Sequence, residues 1–147
     1  MNQNDSDSET ILWLNYSIDD LKTCKLILLS SDDWVVPRNI CYLCQQAVEK
    51  AMKAIYVSEN QRFPKIHDLD SLKNNFPESW KDFGFKIQDL SQLSDWAIEG
   101  RYPGDWSPPT IDDATTAYNQ AKDIIHQIIK SFSSRGLSIQ DKIFERL

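Results

Sequence analysis

The chain has 147 residues, of which 41% are hydrophobic and 26% are charged, a balance typical of one soluble globular domain rather than of a disordered chain. Its formal net charge of -6 disfavours a global attraction to nucleic acid, although a local basic patch is compatible with it. No apolar run approaches the roughly 18 residues of a membrane span, and residues 1–10 are too polar and acidic for a signal peptide. We therefore expect a cytoplasmic protein with no membrane contact.

Apolar residues at helical spacing predict a first helix over residues 9–30 and a second over residues 38–58. The second has a broad apolar face rich in small residues, which lets a neighbouring helix approach closely. One hypothesis for the function is a purely structural scaffold in which this face contacts a second copy of the chain; its members there are Cys41, Cys44, Ala47 and Ala51.

Three further helices follow along the chain. A short helix begins after Asp68, whose side chain suits the cap position. Periodic apolar residues predict a helix over 86–99 and a long one over 110–133. Thr110 and Asp113 have the spacing of a capping box at the start of the long helix.

Together these elements predict an all-α fold, an up-down bundle of four to five helices. We divide the chain into a disordered acidic N-terminus over residues 1–8, a helical domain over 9–135 and an amphipathic tail over 136–147. The positions of the four glycines do not match a phosphate-binding loop, since neither GxGxxG nor GxxxxGK[ST] occurs in the sequence.

The three cysteines do not indicate a metal site. Cys41 and Cys44 form a C-x2-C pair, but there is no second pair, and the nearest histidine is His67. A structural zinc site needs four ligands. We interpret Cys24, Cys41 and Cys44 as small buried apolar side chains in a reducing compartment and predict neither metal nor cofactor.

Four segments follow one another in an order typical of a known family. They are residues 13–21, which end in DDL, QQAVEKAMKA at 45–54, IHDL at 66–69 and RYP at 101–103. In this order they resemble the HEPN family, the higher eukaryotes and prokaryotes nucleotide-binding domain, and the likeness extends over residues 9–133.

The resemblance implies a helical bundle that often pairs into homodimers. Many members are encoded beside a minimal nucleotidyltransferase, and some such pairs act as toxin and antitoxin. By this resemblance, the chain is a nucleotide- or RNA-phosphate-binding and dimerisation module, partnered with a nucleotidyltransferase-like protein.

The catalytic branch of the family consists of metal-independent ribonucleases with an R-x4-6-H motif before the last long helix. Arg101 stands at about the right place, but residues 105–107 are DWS and no histidine follows until His126. A literal R-x4-H at Arg62 and His67 lies after the second helix, and we interpret it as a coincidence. We therefore expect a binding module rather than an enzyme. The alternative is a divergent metal-independent ribonuclease that uses Arg101 and His67.

The candidate ligand-binding residues fall in two groups, and the first surrounds the second helix. Lys50 and Lys53 share a helix face, and Arg62 and Lys65 follow in the next loop. This segment holds four cations against one acid, so it is a candidate to bind phosphate. The alternative is pairing within the chain, for example Glu49 with Lys53 at i,i+4.

The second group is Arg101 and Tyr102, in a loop stiffened by prolines. A guanidinium beside an aromatic ring can bind a phosphate while the ring stacks on a base. Alternatively, Arg101 pairs with a carboxylate and Tyr102 covers the open end of the bundle together with Trp106.

Both histidines also have structural interpretations. His67 can contact a ligand, or its ring can hydrogen-bond to Asp68 or to the facing helix. His126 lies within the last helix among apolar neighbours, where a structural role is expected.

Overall fold

The computed structural model describes residues 2–30, 32–99 and 102–139, and in these ranges the chain forms helices and no strand. The predicted all-α bundle is therefore confirmed, with six α-helices in place of four to five. They are α1 (Gln3–Leu28), α2 (Pro37–Ser58), α3 (Leu69–Asn74), α4 (Lys81–Lys86), α5 (Ser91–Glu99) and α6 (Ile111–Ser134). Short 3-10 turns lie at Asp32–Trp34 and Glu78–Trp80.

Helix α2 is the central helix of the bundle and packs against α1, α3, α5 and α6. Its small-residue face, comprising Cys41, Cys44, Ala47 and Ala51, is completely buried within the chain. The hypothesis that this face contacts a second copy is therefore wrong, because α1 and α6 already cover that side of the helix.

Helix α1 begins at Gln3 rather than near residue 9. The Asn2 side chain caps it by accepting from the backbone N–H of Asp5 at 2.9 Å. The Ser6 hydroxyl donates to the carbonyl of Val57 at 2.9 Å and so ties the first turn of α1 to the end of α2. A polar contact fixes this turn, which explains why apolar periodicity did not predict it. Residues 3–8 are thus helical, while the limits of the domain and tail stay predictions.

The prediction of one helix over 86–99 is wrong at its start. The chain forms the separate helix α4 and then leaves helical geometry over residues 87–90. The carboxylate of Asp70 accepts from the backbone N–H of Leu90 at 3.0 Å, and Asp89 accepts a backbone hydrogen bond at the start of α5. These acidic side chains satisfy backbone donors that a continuous helix would have paired internally.

The predicted starts of α3 and α6 are confirmed. Asp68 accepts from the backbone of Ser71 at 2.9 Å at the start of α3. Thr110 and Asp113 form the reciprocal capping box of α6, with bonds of 3.1 and 2.8 Å. The predicted tail lies largely outside the described residues, although Leu137 and Ile139 pack against the core.

None of the described helices combines the length and the apolar character needed to cross a membrane.

The three cysteine thiols are free and buried, as the sequence predicted.

Candidate functional site

A buried carboxylate lies at the centre of the candidate site. Glu49 of α2 is only 3% exposed. Its Oε1 accepts from Lys53 Nζ at 2.7 Å and lies 3.0 Å from His67 Nδ1. Its Oε2 accepts from the side-chain amides of Gln45 at 3.1 Å and Gln46 at 3.2 Å. Four side chains therefore satisfy one buried charge.

The carboxylate stays ionised in this setting. Burial raises the pKa of Glu49, but the hydrogen bond and charge of Lys53, with the bonds from Gln45 and His67, lower it by more. The net effect is a pKa below the ordinary value of 4.5. An ionised carboxylate only accepts hydrogen bonds, so this contact is a hydrogen bond in the tautomer that carries its proton on His67 Nδ1, and that tautomer has its lone pair on Nε2.

The backbone around His67 is held from two sides. Gln45 Nε2 donates to the His67 carbonyl at 2.9 Å. The backbone N–H of Leu69 donates to Ser94 Oγ of α5 at 3.0 Å. The imidazole itself contacts Glu49 of α2, which is the contact with a facing helix that the sequence predicted as one alternative, yet 68% of the side chain is exposed. The same ring is anchored at one nitrogen and accessible to solvent.

The two lysines of α2 pair with different carboxylates. Lys53 pairs with Glu49, which is the i,i+4 pairing that the sequence indicated as the alternative to phosphate binding. Lys50 Nζ instead donates to Asp20 of α1 at 2.6 Å. Burial raises the pKa of Asp20 by more than Lys50 lowers it. Both ammonium groups are therefore occupied within the chain and do not converge on one position.

The loop from α2 to α3 carries the remaining cations of the basic segment. Asn60 turns the chain away from α2 with a left-handed φ of 52°. Arg62 and Lys65 are exposed and line one cavity of about 790 Å³, together with Phe63 and Glu9. In the part of the chain that the structure describes, neither cation forms an ion pair.

The sequence placed Arg62 and Lys65 in a basic segment that is a candidate to bind phosphate, but it indicated Glu49 only as a pairing partner of Lys53. Burial of a mid-helix glutamate cannot be read from charge alone. Glu49 is offset from the small-residue stripe of α2, so the sequence carries no local signal for its burial. Within the described ranges no group of three His, Cys, Asp or Glu side chains is arranged to hold a metal ion.

The second predicted group is described only in part. Arg101 lies outside the described residues, so its proximity to His67 stays a prediction. Tyr102 is 57% exposed. Trp106 is half-buried and folds over Gly104. His126 lies on an exposed position of α6, away from the apolar face of that helix.

The fold and site define an all-helical domain with a buried carboxylate, a lysine and a histidine in contact with it, and an adjoining cavity lined by two cations. A family model for the HEPN domain matches residues 11–131. The chain therefore belongs to the HEPN domain family. Comparison with curated proteins and with solved structures found no match. Membership implies a module related to nucleotides or RNA, of a kind that often occurs in toxin systems and often dimerises.

Proposed function

We propose that the chain is a nucleotide- or RNA-phosphate-binding module whose phosphate lies on the α2–α3 loop. The observation that carries this proposal is that Arg62 and Lys65 line one cavity without ion pairs to described residues. Lys50 and Lys53 neutralise carboxylates, so the loop cations supply the local positive charge in a chain of net charge -6. Arginine and lysine together suit a phosphate, because the guanidinium gives a paired contact and the ammonium a point charge.

His67 and Lys53 stay in the proposal as ligand contacts beside this loop. Both contact the same oxygen of Glu49, and Lys53 Nζ lies 5.0 Å from the centroid of Phe63, which lines the cavity. Arg101 and Tyr102 remain in the proposal as ligand contacts from the second loop. Tyr102 is exposed enough to stack on a base.

Binding of a labelled oligoribonucleotide and of nucleoside phosphates at low salt tests this function. We expect the double variant Arg62→Ala/Lys65→Ala to bind at least tenfold more weakly, with a shallower salt dependence. The matched control is Lys86→Ala/Lys130→Ala, which removes two exposed cations elsewhere. The proposal fails when the unaltered chain binds none of the ligands, or when the double variant binds like the control.

We propose that the module forms a homodimer and partners a nucleotidyltransferase-like protein in a toxin-antitoxin type system. Large exposed apolar side chains near the end of α1 support an interface: Leu26 is 71% exposed, Leu29 76% and Trp34 81%. Sedimentation of the chain and of Leu29→Lys tests the dimer, which should be weakened by the charge. Co-purification with the product of the neighbouring reading frame tests the partner.

A divergent metal-independent ribonuclease is the second candidate, and the contact between His67 and Glu49 favours it. A carboxylate that accepts from Nδ1–H orients an imidazole and fixes its tautomer, which leaves Nε2 placed to accept a proton from a 2′-hydroxyl. In this candidate Arg101 stabilises the charge on the phosphate.

Incubation with labelled RNA in the presence of a chelator tests the ribonuclease. We expect His67→Ala to abolish cleavage and His126→Ala, which removes the other histidine, to preserve it. Cleavage that persists in His67→Ala excludes this candidate, as does the absence of cleavage by the unaltered chain.

A further inference from the structure

The cavity that holds Arg62 and Lys65 also has an aromatic wall. Phe63 lies between the two cations in the loop and lines the same space. The ring is half-buried and its orientation is fixed by two neighbours. Trp13 of α1 makes an edge contact, with ring centroids 5.5 Å apart and planes at 78°, and Lys53 Nζ lies 5.0 Å from the Phe63 centroid.

The position of this ring is set before any ligand arrives. The ammonium beside Phe63 belongs to the lysine that Glu49 holds at 2.7 Å, so it is itself restrained. The side chain of Lys53 is only 14% exposed. An aromatic side chain held in this way presents a flat surface at little further entropic cost.

Polar groups suited to the edge of a base surround the same cavity. The amides of Asn60 and Gln61 line it, and neither forms a side-chain hydrogen bond to a described residue. Glu9 of α1 lines it from the other side. A carboxylate there repels a phosphate but accepts from the exocyclic amine of adenine or cytosine.

We propose that this cavity binds a nucleobase stacked on Phe63, with its phosphate on Arg62 and Lys65 and its amino edge toward Glu9. This inference rests on the proposed function and adds the ligand class: nucleotides and single-stranded RNA. Base-free phosphates lack the stacking group, and paired RNA keeps its bases inside the double helix. The cavity volume of about 790 Å³ falls in the range of about 300–1,000 Å³ for small-molecule sites.

The experiment compares adenosine 5′-monophosphate with ribose 5-phosphate by calorimetry. The two ligands share the sugar phosphate and differ in the base. We expect the nucleotide to bind roughly five- to hundredfold more tightly, the range that stacking on one aromatic side chain gives. Phe63→Leu should remove this preference, because it weakens the binding of the nucleotide far more than the binding of ribose 5-phosphate. Phe63→Tyr should retain the preference, and Phe85→Leu, at an 80% exposed phenylalanine of α4, is the control.

The outcomes separate this inference from the proposed function. Equal affinity for the two ligands, or an undiminished preference in Phe63→Leu, overturns the stacking site; the phosphate site then stands if Arg62→Ala/Lys65→Ala still weakens both ligands. If neither ligand binds, the stacking site is overturned, and the phosphate site is overturned with it when the labelled oligoribonucleotide also fails to bind. Should Phe63→Leu fail to fold, the comparison of the two ligands in the unaltered chain and in Phe63→Tyr decides.

Discussion

His67 Nδ1 lies 3.0 Å from Oε1 of Glu49, so an exposed loop histidine is fastened to a buried carboxylate in the central helix. Lys53 contacts the same oxygen. Glu49 therefore links the α2–α3 loop to the buried side of α2. We expect a substitution of Glu49 to change both the stability of the fold and the positions of the proposed ligand contacts.

We expect Glu49→Gln to lower the free energy of unfolding by about 2–3 kcal/mol at pH 7. The substitution leaves the ammonium of Lys53 without its anion in a mostly buried position, although some contact with water limits the cost. Urea denaturation measures the change. Asp19→Asn is the control, because its pair with Lys22 is exposed and 4.0 Å long, and should cost less than about 0.5 kcal/mol. Equal effects of the two variants would contradict the role given to Glu49.

The stabilising effect of Glu49 should depend on pH. Its pKa in the folded chain is below the unfolded value, so the stabilisation is complete above the unfolded pKa near 4.5 and is lost as pH falls through the folded pKa. The difference in unfolding free energy between the unaltered chain and Glu49→Gln should therefore shrink on acidification below about pH 4.5. Denaturant titrations at a series of pH values measure this difference.

Asp20 should show the opposite trend. Burial raises its folded pKa above the ordinary 3.8, so its contribution is most favourable in acid and diminishes as pH rises through the folded pKa. In the same titrations, the free energy of unfolding of the unaltered chain should fall relative to that of Asp20→Asn as pH rises through the folded pKa of Asp20. Parallel trends for the Glu49 and Asp20 variants would show that the two carboxylates are not in the environments described.

Gly104→Ala should displace the indole of Trp106. A methyl carbon at residue 104 would lie 2.1 Å from Cζ3 of Trp106, far inside van der Waals contact. We expect a red shift of the tryptophan emission and a loss of about 1 kcal/mol in stability, of the size usual for an overpacked contact. The emission shift should vanish in the background Trp106→Phe. An unchanged spectrum in the unaltered background would show that the ring does not rest on this glycine.

The three thiols should resist alkylation in the native protein. Cys24, Cys41 and Cys44 are completely buried, and the Cys24 and Cys44 sulfurs lie 3.7 Å apart. Burial raises the pKa of Cys41 to about 12; the hydrogen bond with Cys24 and burial raise that of Cys44 further. Because the thiolate is the reactive form, iodoacetamide at pH 8 should modify them only in urea. Mass spectrometry counts the modified thiols, and rapid native labelling would contradict this packing.

Local signals in the sequence were sufficient for the main part of each long helix and for the cap of α6. The apolar stripe of α2 and the spacing of Thr110 and Asp113 depend only on nearby residues, and both predictions agree with the structure. The first turns of α1 and the break before α5 depend on distant partners, Val57 and Asp70, which periodicity does not include.

The candidate site shows the same division. The sequence singled out Lys53 and His67 separately, but their meeting on Glu49 depends on how the α2–α3 loop folds back onto α2. The pairing of Lys50 with Asp20 likewise joins residues thirty positions apart. Arg101 lies outside the described residues, so the second half of the predicted site stays a prediction.

Asn60 gives the α2–α3 loop its direction. Its backbone adopts a left-handed conformation, φ 52°, that asparagine tolerates better than most residues and that β-branched residues strongly disfavour. The direction in which the chain leaves α2 toward Arg62, Phe63 and Lys65 therefore depends on one backbone angle that few residue types adopt without cost. Much of the ordering that capture of a ligand would otherwise require has already occurred during folding.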